Sequence, residues 1–136
     1  MATIRTGGCL CGAVRYEVHG ELGPITVCHC RKCRKANGSA FNAVAPIARA
    51  DLRLLGGTDA LAEFESSPGV HRVFCTGCGA QLYSRRDAMP DMLRLRLGTL
   101  DTPVEGEPSQ HIFTAYKATW YAIPGDAPQH PEHVPA

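Results

Sequence analysis

Apolar and polar residues alternate in several short segments of the chain, a period of two that is typical of β-strands with one buried face. In residues 13–18 the apolar side chains Val14, Tyr16 and Val18 fall on one face and charged residues fall on the other. The same reasoning predicts further strands at residues 24–27, 41–47, 51–55, 61–65, 71–74, 81–85, 92–97 and 111–113. The pattern therefore indicates a mainly β protein built from antiparallel sheets.

The clearest alternation lies late in the chain, at residues 92–97. Its leucines are predicted to enter the core and its arginines to face outward. In the strand at 61–65, Leu61 and Phe64 mark the side expected to face the core. The predicted inward residues are Leu61, Phe64, Leu93, Leu95 and Leu97, and the predicted outward residues are Arg94 and Arg96.

Only residues 31–37 have a convincing helical pattern, and Gly38 follows them as a C-terminal stop. Beyond this helix, prolines recur from Pro124 onward and predict an extended tail. We therefore expect one domain over residues 1–124 and a proline-rich C-terminal tail over residues 125–136.

Composition excludes several classes of protein. The 136 residues suffice for one domain with a core, and 44% hydrophobic with 20% charged residues argues against a disordered chain. No apolar run is long enough to span a bilayer. A formal net charge of +1 argues against a general nucleic-acid binder. The first residues contain no apolar stretch of signal-peptide length, so we expect a cytoplasmic protein.

Seven cysteines form three tight clusters, and each cysteine has another within three residues of it. The clusters are Cys9 with Cys11, then Cys28 with Cys30 and Cys33, then Cys75 with Cys78. An odd number fits a disulfide framework poorly, and clustered cysteines in a reducing compartment usually bind metal or perform chemistry.

The first and third clusters together have the composition of a structural zinc site. Cys75 and Cys78 are three residues apart on a glycine-containing turn, so they can chelate one ion. Cys9 and Cys11, in a C-x-C on an extended segment, point to the same side. We therefore predict that Cys9, Cys11, Cys75 and Cys78 share one zinc ion and join two distant parts of the chain.

The remaining cysteines, Cys28, Cys30 and Cys33, admit three interpretations. Three protein ligands with a fourth position open are typical of a catalytic zinc. A histidine could instead close the site and make it structural, the candidates being His29, His71 and His111. The three thiols could also be metal-free, with Cys30 and Cys33 in the C-x-x-C spacing of a redox pair.

Four basic residues surround Cys33: Arg31, Lys32, Arg34 and Lys35. Positive charge lowers the pKa of a thiol and so favours the thiolate that ligates metal or attacks carbon. The same residues could receive the carboxylates of an anionic substrate or could form a solvated basic face. Aromatic residues are not interleaved with them, which argues against nucleic-acid binding.

These motifs resemble the glutathione-dependent formaldehyde-activating enzyme family, which includes the centromere protein V group. The resemblance covers about residues 7–124 and all seven cysteines. It is carried by Gly8–Tyr16, Cys28–Lys35, Gly38–Phe41, Phe74–Gly79 and His111–Phe113, with Lys117 and Trp120 after them. It implies a zinc-binding β fold shared with a Rab-interacting accessory protein and with B-type methionine sulfoxide reductases. It also implies a structural zinc on Cys9, Cys11, Cys75 and Cys78 and a catalytic zinc on Cys28, Cys30 and Cys33.

The activity that the resemblance implies is of the carbon–sulfur lyase type, the reversible joining of glutathione and formaldehyde into S-hydroxymethylglutathione. The thiol of glutathione would occupy the open zinc position as a thiolate and attack the formaldehyde carbon. An arginine or lysine of residues 31–35 would orient a glutathione carboxylate. Two other functions stay open: a non-catalytic zinc-stabilised binding module, and a thiol redox protein that uses Cys30 and Cys33.

Overall fold

Ten strands, one α-helix and four short 3₁₀ turns make up the computed structural model over its described residues, 3–134. The first five strands are β1 Ile4–Gly8, β2 Arg15–His19, β3 Thr26–Cys28, β4 Asn42–Ala48 and β5 Leu52–Gly56. The others are β6 Leu61–Ser67, β7 Val70–Cys75, β8 Gln81–Arg86, β9 Met89–Arg96 and β10 Gln110–Ile112, and the helix is α1 Arg31–Asn37. The predicted mainly β class and the predicted helix are confirmed. Residues 1, 2, 135 and 136, at the ends of the predicted domain and tail, lie outside the described residues.

The chain forms two compact units. The first consists of Met1–Gly23 and Ala45–Glu105, and the second of Pro24–Val44 and Gly106–Ala136. The first unit holds an antiparallel sheet of order β1-β2-β5 and the strand order β9-β8-β7-β6, and the boundary between the units falls within β4, between Val44 and Ala45. Strand β1 was not predicted, because its sequence, IRTGG, lacks the alternation of apolar residues.

The core of the first unit is built from the alternating positions of its strands. Val14, Tyr16 and Val18 are completely or almost completely buried, as predicted. The Tyr16 hydroxyl also shares a 2.7 Å hydrogen bond with Thr99 Oγ1, which satisfies its polar end inside the core. The other members of this core are Cys9, Ile47, Cys75, Leu82, Leu93 and Leu95.

Three predicted orientations were wrong. Arg96, expected to face outward, is buried, and its guanidinium donates to Ser84 Oγ at 3.4 Å. Leu97 leaves the strand and begins the 3₁₀ turn Leu97–Thr99, where it is only half-buried. Phe64 is 63% exposed because β6 is an edge strand whose middle residues are exposed on both faces.

In the second unit, β3 pairs with β4 in the antiparallel sense and with β10 in the parallel sense. The register places Asn42 and Ile112 on either side of Cys28. The parallel pair departs from the predicted all-antiparallel sheets. Parallel neighbours need a long connection, and here the second segment of the first unit, Ala45–Glu105, lies in sequence between β3 and β10.

Helix α1 begins and ends through local contacts. Cys30 is its N-cap, since its sulfur accepts a hydrogen bond from the Cys33 amide at 3.3 Å. Gly38 ends it in the left-handed conformation, with φ of 61°. Because Cys28 ends β3, these few residues place all three cysteines around the start of the helix.

Replacing Gly57 by alanine should destabilise the protein by about 2 kcal/mol or more, because left-handed backbone costs an L-residue roughly 1–2 kcal/mol before any collision is counted. Gly57 has φ of 81°, and a Cβ there would collide with the carbonyl group of Ala13. Gly56 is the matched control, since a Cβ there meets no atom within 4 Å. Urea unfolding measures both variants, and equal stabilities for Gly57→Ala and Gly56→Ala would contradict this account.

Candidate metal centres

Four cysteines converge in the first unit. Cys9 and Cys11 follow β1, Cys75 ends β7 and Cys78 lies in the next turn, and their four sulfurs all lie within 4.8 Å of one another. The Sγ–Sγ distances are 3.6 Å for Cys9–Cys11 and 3.8 Å for Cys11–Cys75. No disulfide joins any of the seven cysteines, all of which are among the described residues. Four ligands about 2.3 Å from one tetrahedral zinc ion stand about 3.8 Å apart, so this arrangement fits zinc.

Backbone contacts hold the turn that carries Cys75 and Cys78. The Gly79 amide donates to the Cys75 carbonyl at 2.7 Å, and the Cys75 amide donates to the Ala80 carbonyl at 3.0 Å. Gly79 has φ of 78°, a conformation that glycine adopts without strain. The turn therefore brings the two sulfurs of the C-x-x-C to the same side.

Amide donors and neighbouring sulfurs set the charge of this group. The backbone amides of Ala80 and Cys11 lower the pKa of the Cys78 thiol to about 6. Burial opposes ionisation of Cys9, but the Val14 amide, 3.2 Å from its sulfur, helps to hold its pKa below the ordinary value. The Ala13 amide favours the Cys11 thiolate, yet the adjacent sulfurs raise the pKa of Cys11 to about 11. Four thiolates this close require a cation between them.

The second unit holds the other three cysteines, and the sulfurs of Cys28, Cys30 and Cys33 lie within 4.8 Å of one another. Cys28 and Cys33 are buried and Cys30 is half-buried. Asn42, opposite Cys28 in the sheet, directs its amide nitrogen to Cys33 Sγ at 3.9 Å. The sulfurs of Cys30 and Cys33, followed by burial, raise the pKa of Cys28. A divalent cation would relieve this repulsion, so three thiolate donors also fit zinc.

Within residues 3–134 no histidine or carboxylate joins this group of three as a fourth ligand. His29, between two of the cysteines in sequence, turns away and places its Nε2 2.9 Å from Nδ1 of His111. His71 instead lies 3.1 Å from Asp87. None of these histidines therefore serves as a fourth ligand of the group Cys28, Cys30 and Cys33 in this structure.

The sequence offered His29 and His111 only as possible zinc ligands and did not predict that they contact each other. His29 is completely buried beside the rings of Phe41 and Tyr121, whose centroids lie 5.8 and 6.4 Å from its own. Burial lowers the pKa of His29 to about 4 and also lowers the pKa of His111. The Nδ1 of His29 has no hydrogen-bond partner among the described residues. No periodicity relates residues 82 positions apart, so the sequence held no spacing that could have revealed the pair.

Two basic residues of α1, Arg31 and Arg34, contact Tyr116 in different ways. Arg34 donates to the Tyr116 carbonyl at 2.8 Å. The guanidinium of Arg31 lies 4.9 Å over the Tyr116 ring and is exposed, so it is oriented yet accessible. Lys35 is also exposed. Arg31 therefore has the clearest geometry for an incoming anion.

A third cluster of donor groups lies in the first unit and consists of Glu65, His71 and Asp87. Asp87 is 3.1 Å from His71 and 3.1 Å from Arg85. Arg85 in turn makes contacts of 2.6 and 2.7 Å with Glu63. Ion pairs within the protein therefore explain why these three side chains lie close together.

A mainly β fold that carries two groups of cysteines, each suited to zinc, is typical of a class of metal-binding domains. Residues 4–116 match the family model of the glutathione-dependent formaldehyde-activating enzymes, and the chain belongs to that family. A Fusarium vanettenii protein classed by name with these enzymes is 30% identical over 79 residues, which are 57% of this chain and 42% of the relative. The present chain thus matches less than half of that relative's length.

The structure is also similar to the crystal structure of a Rhodobacter sphaeroides protein solved as a structural genomics target. The TM-score is 0.62 at 26% identity, and the alignment covers 76% of this chain and 96% of the other. Across residues 3–134 there is no helix with the length and apolar character needed to cross a membrane.

The hydrogen bond between His29 and His111 should appear as a coupling of about 1 kcal/mol or more in a double-mutant cycle, since removing one partner leaves a buried polar atom unpaired. The cycle compares His29→Ala, His111→Ala and the double variant in urea unfolding of metal-saturated protein.

The control cycle uses His19 and Glu17, whose contact of 2.7 Å is partly exposed to solvent. Its coupling should be only a few tenths of a kcal/mol, as for other exposed ion pairs. Additive effects of the two buried histidines would show that their contact contributes nothing to stability.

Proposed function

We propose that this protein is a zinc-dependent enzyme of the carbon–sulfur lyase type that reversibly joins formaldehyde to a thiol, with glutathione as the preferred thiol. The observation that carries the proposal is the group Cys28, Cys30 and Cys33, which no fourth side chain closes within the described part of the chain. Membership of the formaldehyde-activating family supplies the substrate pair.

Each cysteine group would hold one zinc ion. Cys9, Cys11, Cys75 and Cys78 supply four thiolates and leave no position free, so they would hold an ion that stabilises the fold. Cys28, Cys30 and Cys33 supply three thiolates and would leave one position for a substrate. Zinc bound there would keep a coordinated thiol deprotonated near neutral pH.

The protein would orient the substrate so that the carbon–sulfur bond can form. Arg31, exposed and stacked on Tyr116, would bind a carboxylate of glutathione, a geometry that suits a planar guanidinium. The glutathione sulfur then forms a bond to the formaldehyde carbon while the C=O electron pair moves to oxygen, which takes a proton from solvent. The reverse reaction breaks the same carbon–sulfur bond and returns the proton.

A second candidate function is thiol redox chemistry at Cys30 and Cys33. The observation in its favour is the Cys33 amide directed at the Cys30 sulfur at 3.3 Å, at the start of a helix. Cys30 and Cys33 also have the C-x-x-C spacing of a redox pair, with sulfurs within 4.8 Å of each other. The metal content of the reduced protein separates this function from the lyase.

The purified, reduced protein should contain two zinc ions per chain by elemental analysis, and Cys33→Ser should contain one. Formation of S-hydroxymethylglutathione by Cys33→Ser should fall to the uncatalysed rate, because one ligand of the open site is lost. Cys11→Ser is the matched control, since it removes a ligand of the other group and should lower stability while leaving the second ion bound.

Full activity together with two zinc ions in Cys33→Ser would contradict the role given to this group. One zinc ion in the wild type, combined with a reversible disulfide between Cys30 and Cys33, would favour the redox function over the lyase.

Arg31→Ala should raise KM for glutathione about tenfold with little change in kcat, because a hydrogen bond to a charged group contributes about 1.5–3 kcal/mol and this one would form on binding. Arg31→Lys should recover only part of the loss. Arg53→Ala, at an exposed arginine of the first unit, is the control and should leave KM unchanged. A fall in kcat with unchanged KM would assign Arg31 to the chemical step instead of binding.

A further inference from the structure

The segment Pro128–Val134, named here the strap, lies beyond the part of the chain that matches the family model, which ends at residue 116. Family membership therefore assigns it no role. The strap runs beside residues 111–115 in the second unit, and a parallel bridge joins His111 to Gln129.

Backbone hydrogen bonds fasten the strap along its length. The His111 amide donates to the Pro128 carbonyl and the His130 amide donates back to the His111 carbonyl, each at 2.8 Å. Further along, the Phe113 amide donates to the Glu132 carbonyl at 2.9 Å. The strap therefore lies alongside β10 and pairs with it through backbone hydrogen bonds.

Two side-chain contacts finish the strap close to the second cysteine group. Val134 packs against the cluster formed by Cys28, Cys33 and Ile112. The Tyr116 hydroxyl donates to Glu132 Oε1 at 2.9 Å, and the guanidinium of Arg31 stacks on the ring of the same tyrosine. Val134 therefore packs on the buried cluster to which Cys28 and Cys33 belong.

The strap is also less buried than the core. None of residues 128–134 is fully buried, and the Tyr116–Glu132 contact is exposed. Segments with few buried apolar contacts and exposed hydrogen bonds open locally far more readily than the core. The contacts of Val134 can therefore be given up without unfolding the second unit.

We propose that the strap is a specificity-determining element that limits the size of the thiol or thiol reagent reaching Cys28, Cys30 and Cys33. With Val134 in place, only small molecules approach these sulfurs, and a larger molecule such as glutathione enters when the strap lifts. The choice of glutathione as the large thiol rests on the proposed function, whereas the size limit itself does not.

The test compares alkylation rates of the full-length, metal-loaded protein by N-ethylmaleimide and by the bulkier fluorescein maleimide, with peptide mass mapping of each cysteine. Tyr116→Phe should raise the ratio of bulky to small reagent at Cys28 and Cys33 about fivefold, the effect of losing one typical hydrogen bond, and Val134→Gly should raise it by a similar factor because it loses the apolar contact. Cys11 and Cys78 serve as internal references, and their ratio should not change.

Matched control variants distinguish an effect of the strap from a general loosening of the fold. Val134→Thr keeps the side-chain volume, and Tyr83→Phe removes a hydroxyl from the first unit, so both should behave as wild type. An unchanged ratio in Val134→Gly and Tyr116→Phe would overturn the proposal. A rise of equal size at Cys11 and Cys78 would overturn it too, because it would report a loosened fold.

The same variants, assayed with glutathione and formaldehyde, keep the two proposals distinguishable. A changed alkylation ratio in a protein that does not form S-hydroxymethylglutathione would support the strap and refute the lyase. An active wild-type protein whose alkylation ratio is indifferent to both strap variants would support the lyase and refute the strap.

Discussion

The repulsion between closely spaced sulfurs is the constraint on which this structure depends. Seven cysteines lie in two groups whose sulfurs are within 4.8 Å of one another, and none of them forms a disulfide. Thiolates at these distances repel one another strongly unless a cation neutralises them. In both units the fold brings the sulfurs this close, an arrangement that fits a bound cation. In the first unit, such an ion would cross-link the end of β1 to the end of β7.

The two cysteine groups lie in different surroundings. Backbone amides of Val14 and Ala80 direct N–H groups at the sulfurs of the four-cysteine group. The three-cysteine group lies at a strand end and a helix start, where Cys30 caps the helix and also belongs to the group that could hold a metal. A capping residue is held in place by the helix it begins, so the helix fixes the position of the Cys30 sulfur in this group.

Local features were predictable from the sequence, and long-range ones were not. Helix α1 and its stop at Gly38 depend on neighbours within a few residues, so their pattern predicted them correctly. Val14, Tyr16 and Val18 were assigned to the core because β2 has one buried face. Phe64 lies three positions after Leu61 and therefore on the opposite face of β6 from the leucine that packs on the core, and β6 is an edge strand, a property of the whole sheet. The His29–His111 contact and the parallel pairing of β3 with β10 join segments far apart in sequence, which no local period reports.

The interrupted sequence of the second unit has a consequence for its biosynthesis. Its first segment ends at Val44 and its second begins at Gly106, so the ribosome makes residues 45–105 before β10 can pair with β3. During that interval Cys28, Cys30 and Cys33 are already synthesised, yet Ile112 and Val134, which later pack in the same cluster, do not exist. The nascent chain therefore passes through a period in which these thiols are open to oxidants and to any available metal ion. A reducing environment and early metal capture would protect the chain most at that stage, before folding is complete.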